Sequence, residues 1–384
     1  MGSAMREIDL FGKPLSPSMS KANTGKEHSP SKVISQPVVL GGRSGRVIHT
    51  DYQLPDAETH LGNLVEIYDA VPRFFESRTV HSLENMNQEI TSEVRSMSYT
   101  LTITAATIRK KYIEKQPDGT TLQRQVNVGM FPGVREEFVE KAIRKFSTFQ
   151  AADITPERCI VRFSLYELKK ELDEFGHRYS YSEIREALQV LAQSNVRIVA
   201  TLPDGTSLDI SSGYINNLVI RSPRRDSAYY QAGNDDSRPR CQVELHPLIA
   251  QQVKRGEFRL YQYGLDMSIT SGFGRGLLRF ISMYWKNASE SNSFRFTMME
   301  FFASGSNRRP GQFIAQDNRQ LKRAIDSLIN VGMLKPDFRV VPIKASKGRK
   351  ILDYEYEVYA TNKFVTTVIE ANSGAARRRL VQSR

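Results

Sequence analysis

Four pieces of one stretch decide the fold: R-F-T-M-M-E at 295–300, N-R-R-P-G at 307–311, Q-D-N-R-Q-L-K-R-A-I-D-S-L-I-N-V at 316–331, and V-V-P-I-K-A-S-K-G-R-K at 340–350. Phe294 and Phe296 end a strand. Thr297 with Glu300 three residues on is a capping box, so a helix starts there. The Asn-Arg-Arg-Pro-Gly segment breaks that helix. Beyond it Leu321, Ala324, Ile325, Leu328 and Ile329 recur at i, i+3, i+4, i+7 and i+8, which is one buried helical stripe. Arg319, Lys322 and Arg323 share a different face. Met333 and Leu334 lead out, Val340 to Ile343 reads as a strand, Lys344 to Lys350 as its basic tip, and Asp353 to Tyr359 as the return strand. Helix, turn, basic helix and a hairpin with a cationic tip is the order of a winged helix-turn-helix. A basic helix face alone is most often a solvated face. Here the short break before it and the basic hairpin after it favour DNA.

Working outward, the pattern occurs twice. Arg162-Phe163-Ser164-Leu165-Tyr166-Glu167 repeats R-F-[ST]-x-x-E, again placing a capping box after a strand. Leu165, Leu168 and Leu172 form that helix's apolar stripe and Gly176 stops it. Ser180 and Glu183 are another capping box. The next helix carries Ile184, Ala187, Leu188, Leu191 and Ala192, with the spacing of Leu321 to Ile329. A wing follows: strand 196–202, turn Pro203-Asp204-Gly205, strand 206–210, and a third strand at 214–220. Order preserved across strand, capped helix, second helix and wing predicts two related domains.

The expected fold is therefore α+β, two tandem winged helix-turn-helix domains behind a disordered N-terminal segment. The expected limits are 1–94 for the N-terminal region, 95–222 for the first domain, 223–240 for an arginine-bearing linker, 241–371 for the second domain and 372–384 for a basic tail. The first domain opens with a long hairpin over 98–128, turning at Pro117-Asp118-Gly119, and with a helix over 134–150 that points Phe138, Ala142, Ile143 and Phe146 inward. Residues 56–70 read as a short helix, with Leu61, Leu64, Val65 and Tyr68 on one face. Residues 73–94 show no clear pattern. In the second domain a short helix spans 248–254 and a leading helix spans 274–287. Gly272-Phe-Gly274-Arg-Gly276 is read as a flexible lead-in to the latter.

The chain has 384 residues, 40% of them hydrophobic, and a net charge of +12. That length holds two domains and tails, and the charge suits a polyanionic partner. The two cysteines, Cys159 and Cys241, suggest neither a disulfide framework nor a zinc site. A reducing, cytoplasmic setting is expected, with no membrane span, no metal and no cofactor. Residues 1–50 are rich in Ser, Lys, Gly and Pro. Within them Glu7-Ile8-Asp9-Leu10-Phe11 is an apolar island suited to a partner's groove.

Several features resemble the iteron-binding plasmid replication initiators, in particular the TrfA-type initiators. Arg162 to Leu168 is similar to that group's F-T-F-Y-E-L segment, Arg178-Tyr179-Ser180 to its R-Y-Y-T-K, and Ser237-Arg-Pro-Arg-Cys241-Gln-Val243 to its S-R-C-Q-V. The resemblance runs from about Thr100 to Lys350. It implies binding of tandem direct repeats (iterons) at a plasmid origin, opening of adjacent AT-rich DNA, and recruitment of the host initiator, the replicative helicase and the sliding clamp. It also implies homodimerisation through the first winged-helix domain. Bacterial clamps take peptides resembling Q-L-[SD]-L-F. Ile8, Asp9, Leu10 and Phe11 fit that pattern, with Glu7 in the Gln place.

Arg is the best reader of guanine edges from a helix in the major groove. The second-domain candidates are Asn318, Arg319, Lys322 and Arg323, with Arg319 the base reader. Arg308 and Arg309 are expected on phosphates, and Lys344, Lys347, Arg349 and Lys350 on the backbone or minor groove. The first-domain candidates are Tyr181, Ser182, Arg185 and Gln189, on a less basic face. Arg109, Lys110, Lys111 and Lys115 of the hairpin are candidates for DNA or a second protomer. No enzyme is expected. The six histidines never pair closely, so Tyr229-Tyr230 lacks the metal partner that a nicking tyrosine needs. P-loop and serine or cysteine nucleophile motifs are absent. The main rival is a transcriptional regulator with the same fold that binds an operator palindrome as a dimer.

Overall fold

The computed structural model describes residues 6–8, 61–75, 80–81, 83–94, 97–115, 121–149, 153–154, 158–201, 205–221, 240–254, 258–303, 313–346 and 350–382. In chain order these form β1 (Arg6–Ile8), β2 (Leu61–Val65), α1 (Glu66–Ala70), β3 (Val80–His81), β4 (Asn87–Val94), β5 (Met97–Thr104), β6 (Ala106–Lys115), β7 (Thr121–Met130), α2 (Val134–Phe149), β8 (Asp153–Ile154), β9 (Cys159–Ser164), α3 (Leu165–Glu174), α4 (Tyr181–Gln193), β10 (Asn195–Thr201), β11 (Ser207–Gly213) and β12 (Ile215–Arg221). There follow β13 (Arg240–Leu245), α5 (Pro247–Lys254), β14 (Phe258–Gln262), α6 (Tyr263–Ser268), α7 (Gly272–Tyr284), β15 (Ser293–Thr297), α8 (Met298–Ala303), α9 (Ile314–Asn330), β16 (Arg339–Lys344), β17 (Ile351–Tyr359) and α10 (Asn362–Gln382). The far end of the β6–β7 hairpin, 111–124, forms with β1 a small unit of its own, and the rest of the described chain forms another. Most of the N-terminal segment read as disordered lies outside the described residues.

The larger unit holds two hydrophobic cores, one built from Val65 to Met267 with Ala371, the other from Ile269 to Val368. The second core has the element order expected of it: α7, β15, α8, α9 and the β16–β17 hairpin. Its sheet runs β15–β17–β16, all antiparallel. Thr297 and Glu300 close a reciprocal capping box, the Glu300 N–H donating to Thr297 Oγ1 at 3.1 Å and the Thr297 N–H to Glu300 Oε2 at 2.9 Å. Leu321, Ala324, Ile325 and Leu328 are fully buried, the stripe read from spacing alone.

The first core keeps the expected helices. Ser164–Glu167 and Ser180–Glu183 both form capping boxes. Gly176, at φ +84°, ends α3 because a left-handed residue is needed where the His177 N–H turns back to the Leu172 carbonyl. Strand pairing departs from the expectation. The wing strands β10 and β11 pair with each other, and β10 also pairs with β5, giving the order β11–β10–β5–β4. β9 instead pairs with β13, in the order β12–β13–β9–β8. The long hairpin therefore splits at Ala105: its first leg, β5, joins the wing, and only β6 faces β7.

Four further expectations are corrected. Residues 61–65 are a strand paired with β14, not the start of a helix. The patternless 73–94 contains β3 and β4. Residues 241–267, expected to open the second domain, pack in the first core, because β13 supplies the strand that β9 and β12 both lack. Residues 372–382 of the expected tail continue helix α10, whose earlier turns, within the expected second domain, seat Phe364 and Val368 in the second core.

Candidate nucleic-acid interface

The candidate interface begins at α9. Its inward stripe fixes which residues face solvent: Gln316, Arg319, Arg323, Asp326 and Asn330 are exposed along one line, with Lys322 half-buried beside them. Among the described residues Arg319, Lys322 and Arg323 have no ion-pair partner, so three cations stand open along about one turn. Asp326, on the same line, gives the C-terminal half the opposite sign. The N-terminal half is thus the cationic end.

Asn318 is corrected. It is 9% exposed, and Tyr356 of β17 donates its hydroxyl to Asn318 Oδ1 at 2.6 Å. Its amide ties α9 to the sheet and does not belong to the exposed face. The exposed amide is Gln316, which sequence reasoning missed. A count of positions along the helix would have found it, since Gln316, Arg319 and Arg323 stand three and four apart. Phe313, the residue preceding α9, is also missed: it gives no side-chain cap and is 62% exposed. An uncapped helix end, an open aromatic ring and an amide sit at the end of the helix where recognition helices meet base edges.

The wing of this lobe carries Lys344 and Lys350, both exposed, and Arg339 farther down β16. The Ala345 N–H donates to the Lys350 carbonyl at 2.9 Å, which closes the tip and holds both lysines at one end of the hairpin. Val341 and Ile343 are 37% and 38% exposed on the same strand. Arg295 is spoken for, donating to Glu357 at 2.9 and 3.0 Å. Arg308, Arg309, Lys347 and Arg349 lie outside the described residues, as do Asp9, Leu10 and Phe11. Ile8 is in β1, opposite Lys111 of β6.

The first lobe offers a weaker version. Arg185 is the one cation in α4, half-buried between the exposed Tyr181 and Gln189, one turn to either side. The Ser182 hydroxyl lies 2.9 Å from that of Ser180, inside the cap. Glu186, on the next position, bonds Arg135 at 2.8 Å and Lys110. Lys110 is therefore buried and engaged rather than available. The wing is polar instead of basic: Arg197 is paired across the strands with Asp209 at 2.7 and 3.0 Å.

Neither cysteine is bonded. Both are buried, and burial pushes the Cys159 thiol up to about 12 and the Cys241 thiol up to about 11, so neither is a thiolate for metal or nucleophile. Among the described residues no group of His, Cys, Asp and Glu could hold a metal ion, and no helix is long and apolar enough to cross a membrane.

A cationic helix and a cationic wing tip on one small α+β lobe, with a second lobe of related order, define a tandem-lobed protein with one strong and one weak cationic face. The chain is similar to domains 2 and 3 of RctB in two crystal structures. One is a selenomethionine derivative (TM-score 0.43, 9% identity, 77% of this chain and 98% of that one) and the other is RctB 155–483 (TM-score 0.41, 10% identity, 80% and 99%). It is also similar to the Pi initiator protein in complex with iteron DNA, with a TM-score of 0.37 and 13% identity over 59% of this chain and 91% of that one. The sequence matches no family model and no curated protein.

Proposed function

We propose that the protein is a DNA replication initiator that binds direct repeats at an origin, reading bases with α9 and holding the backbone with the second wing and the first lobe. The observation that carries this is the open row Gln316, Arg319, Lys322 and Arg323 on a helix whose other face is locked in a core. Arg319 has the reach and fork geometry for guanine O6 and N7, and Gln316 the paired donor and acceptor for adenine N6 and N7. Lys322, Arg323, Lys344 and Lys350 neutralise phosphates. Tyr181, Arg185 and Gln189 supply the weaker second grip.

The finer steps follow from the resemblance noted above. An array of bound copies bends and strains the repeats, and adjacent AT-rich DNA yields first. That needs no bond-breaking chemistry and no cofactor. Host initiator, helicase and sliding clamp are the proposed partners, the clamp through Ile8 to Phe11, and a second copy pairs through the first lobe. The proposed setting is the bacterial cytoplasm.

The test is selection from random duplex DNA at about 150 mM salt, where non-specific binding is weak. Expected is one non-palindromic site of roughly two helical turns, with Arg319→Ala losing preference at one guanine and about 1–3 kcal/mol of affinity. A short palindrome would mean a dimeric regulator. Enrichment indifferent to Arg319 would remove α9 as the reader.

A further inference from the structure

The junction between the two lobes is built from buried charge. Glu137 of α2 is 3% exposed in the first lobe. Two arginines one turn apart on α7 of the second lobe reach it: Arg275 Nη2 donates at 3.0 Å and Arg279 Nη1 at 2.6 Å. Lys141 Nζ lies 2.9 Å from Glu137 and 2.6 Å from Asp266. Arg275, 1% exposed, spends its other terminal nitrogen on the carbonyls of Ile269 and Thr270 at 3.0 and 2.9 Å. Those residues are the crossing segment between α6 and α7, so one guanidinium ties together the first lobe, the crossing and the second lobe. Its Cζ also sits 4.5 Å from the centroid of Phe138, again on α2.

We infer that Glu137, clamped by Arg275 and Arg279, is a positioning residue that fixes the second lobe on the first, so that α4 and α9 act as one rigid reader with a set separation. This rests on the reading that both lobes contact duplex DNA. Apolar contacts alone would let two packed faces slide, because they are not directional. A carboxylate held at each oxygen by a separate guanidinium N–H has one favourable geometry. Removing its charge leaves two arginines and a lysine buried against a single remaining carboxylate, Asp266, and such an uncompensated cluster is relieved by admitting water. At this position, admitting water means parting the lobes. Three other ties cross between the lobes: the Tyr99 hydroxyl donates to the Ala303 carbonyl at 2.5 Å, Gln262 Nε2 donates to Thr367 Oγ1 at 3.0 Å, and Arg259 Nη1 donates to the exposed Asn372 Oδ1 at 2.9 Å. None of them pairs two charges and the Arg259 bond is exposed, so the buried Glu137 is the tie whose loss matters most.

A rigid pair of reading heads makes a prediction about DNA. Each base pair inserted between the two contacted halves of a site moves one half by about 3.4 Å and turns it by about 34–36° about the axis. A fixed reader cannot follow, whereas a hinged one can. The experiment uses the full chain, Glu137→Gln, and Arg197→Ala as a control that breaks an exposed ion pair taking no part in the buried Glu137 cluster. Calorimetry is the arm that needs no DNA. The wild type and Arg197→Ala are expected to unfold in one transition, and Glu137→Gln in two. The second arm compares the selected site with the same site carrying two extra central base pairs. The wild type is expected to lose about tenfold or more in affinity for the lengthened site, and Glu137→Gln less than about threefold.

Should Glu137→Gln fail to fold, Arg279→Lys keeps the charge, loses the planar guanidinium and is read the same way. If the wild type selects no DNA, the initiator reading fails while calorimetry still decides the lock. Two transitions in the wild type, or one transition in both proteins, would overturn the lock. So would an equal spacing penalty in both.

Discussion

Asn318 and Arg319 are neighbours in sequence with opposite fates. A helix turns by about 100° per residue, and that step carries Asn318 under Tyr356 and Arg319 into solvent. Asn318→Ala should therefore act on stability. The Tyr356 hydroxyl loses its acceptor while staying buried, costing roughly 1–3 kcal/mol, and base preference measured below the melting temperature should not change. Gln316→Ala should do the reverse, leaving the unfolding midpoint within about 0.5 kcal/mol of wild type while relaxing one adenine position in the selected site. Thermal unfolding beside sequence selection separates the two. If Asn318→Ala alters the selected bases and leaves stability alone, the assignment of its side chain to the core is refuted.

At the scale of elements, α7 and α9 explain each other. Gly274 lies where they cross: a Cβ there would stand 2.8 Å from Ile269 Cγ2 and 2.9 Å from Ser327 Oγ of α9. The Gly-x-Gly-x-Gly run read as a flexible lead-in is inside a regular helix, and at Gly274 it serves close approach. Gly274→Ala is expected to push the two helices apart and destabilise by about 1–3 kcal/mol. It should also weaken DNA binding more than it weakens secondary structure, since α9 is the element displaced. Circular dichroism with a binding titration would show this. Unchanged stability would mean that Ile269 and Ser327 give way freely. The capping boxes were legible because they need only two side chains at a fixed spacing. Residues 61–65 were not, because a run of five residues has no period of its own and becomes a strand only where β14 offers an edge.

The molecule as a whole is organised around α2, whose charged residues are buried rather than exposed. Arg144 donates to Asp69 at 2.7 and 2.8 Å, and Arg73 bridges Asp69 at 2.9 Å and Glu140 at 3.1 Å. Burial raises the Asp69 carboxyl, but Arg144 and Arg73 outweigh it and hold it down to about 2. His246, fully buried against Tyr68, is pushed by burial down to about 3. Both folded values lie below the unfolded ones, so the unfolded chain binds more protons and stability is lost as the pH is lowered. The His246 contribution is complete above about 6.5 and declines towards 3, costing roughly 2 kcal/mol by pH 5. Asp69 follows between about 4 and 2. Denaturant midpoints from pH 7 to 3 should show the first decline before any carboxylate titrates, and His246→Gln should flatten it. A stability constant from pH 7 to 5 would contradict a neutral buried His246.

The sequence by itself determined what depends on neighbours along the chain. Period 3.6 placed the buried stripes of α4 and α9, paired Ser/Thr and Glu placed three helix starts, and the repeat of both predicted two lobes of related order. The cationic face of α9 was legible for the same reason, since its inner face left Arg319, Lys322 and Arg323 nowhere else to point. Tertiary structure alone decided what depends on distant partners. β13 joined the first lobe because a sheet edge was open there. Asn318 left the candidate site because a tyrosine almost forty residues away needed an acceptor. Glu137, Lys141 and Arg144 look like the solvated face of an amphipathic helix, and they are buried because opposite charges from three other elements, α1, α6 and α7, meet them. A charge is placed by its counter-charge, and nothing local in the chain says where that will come from.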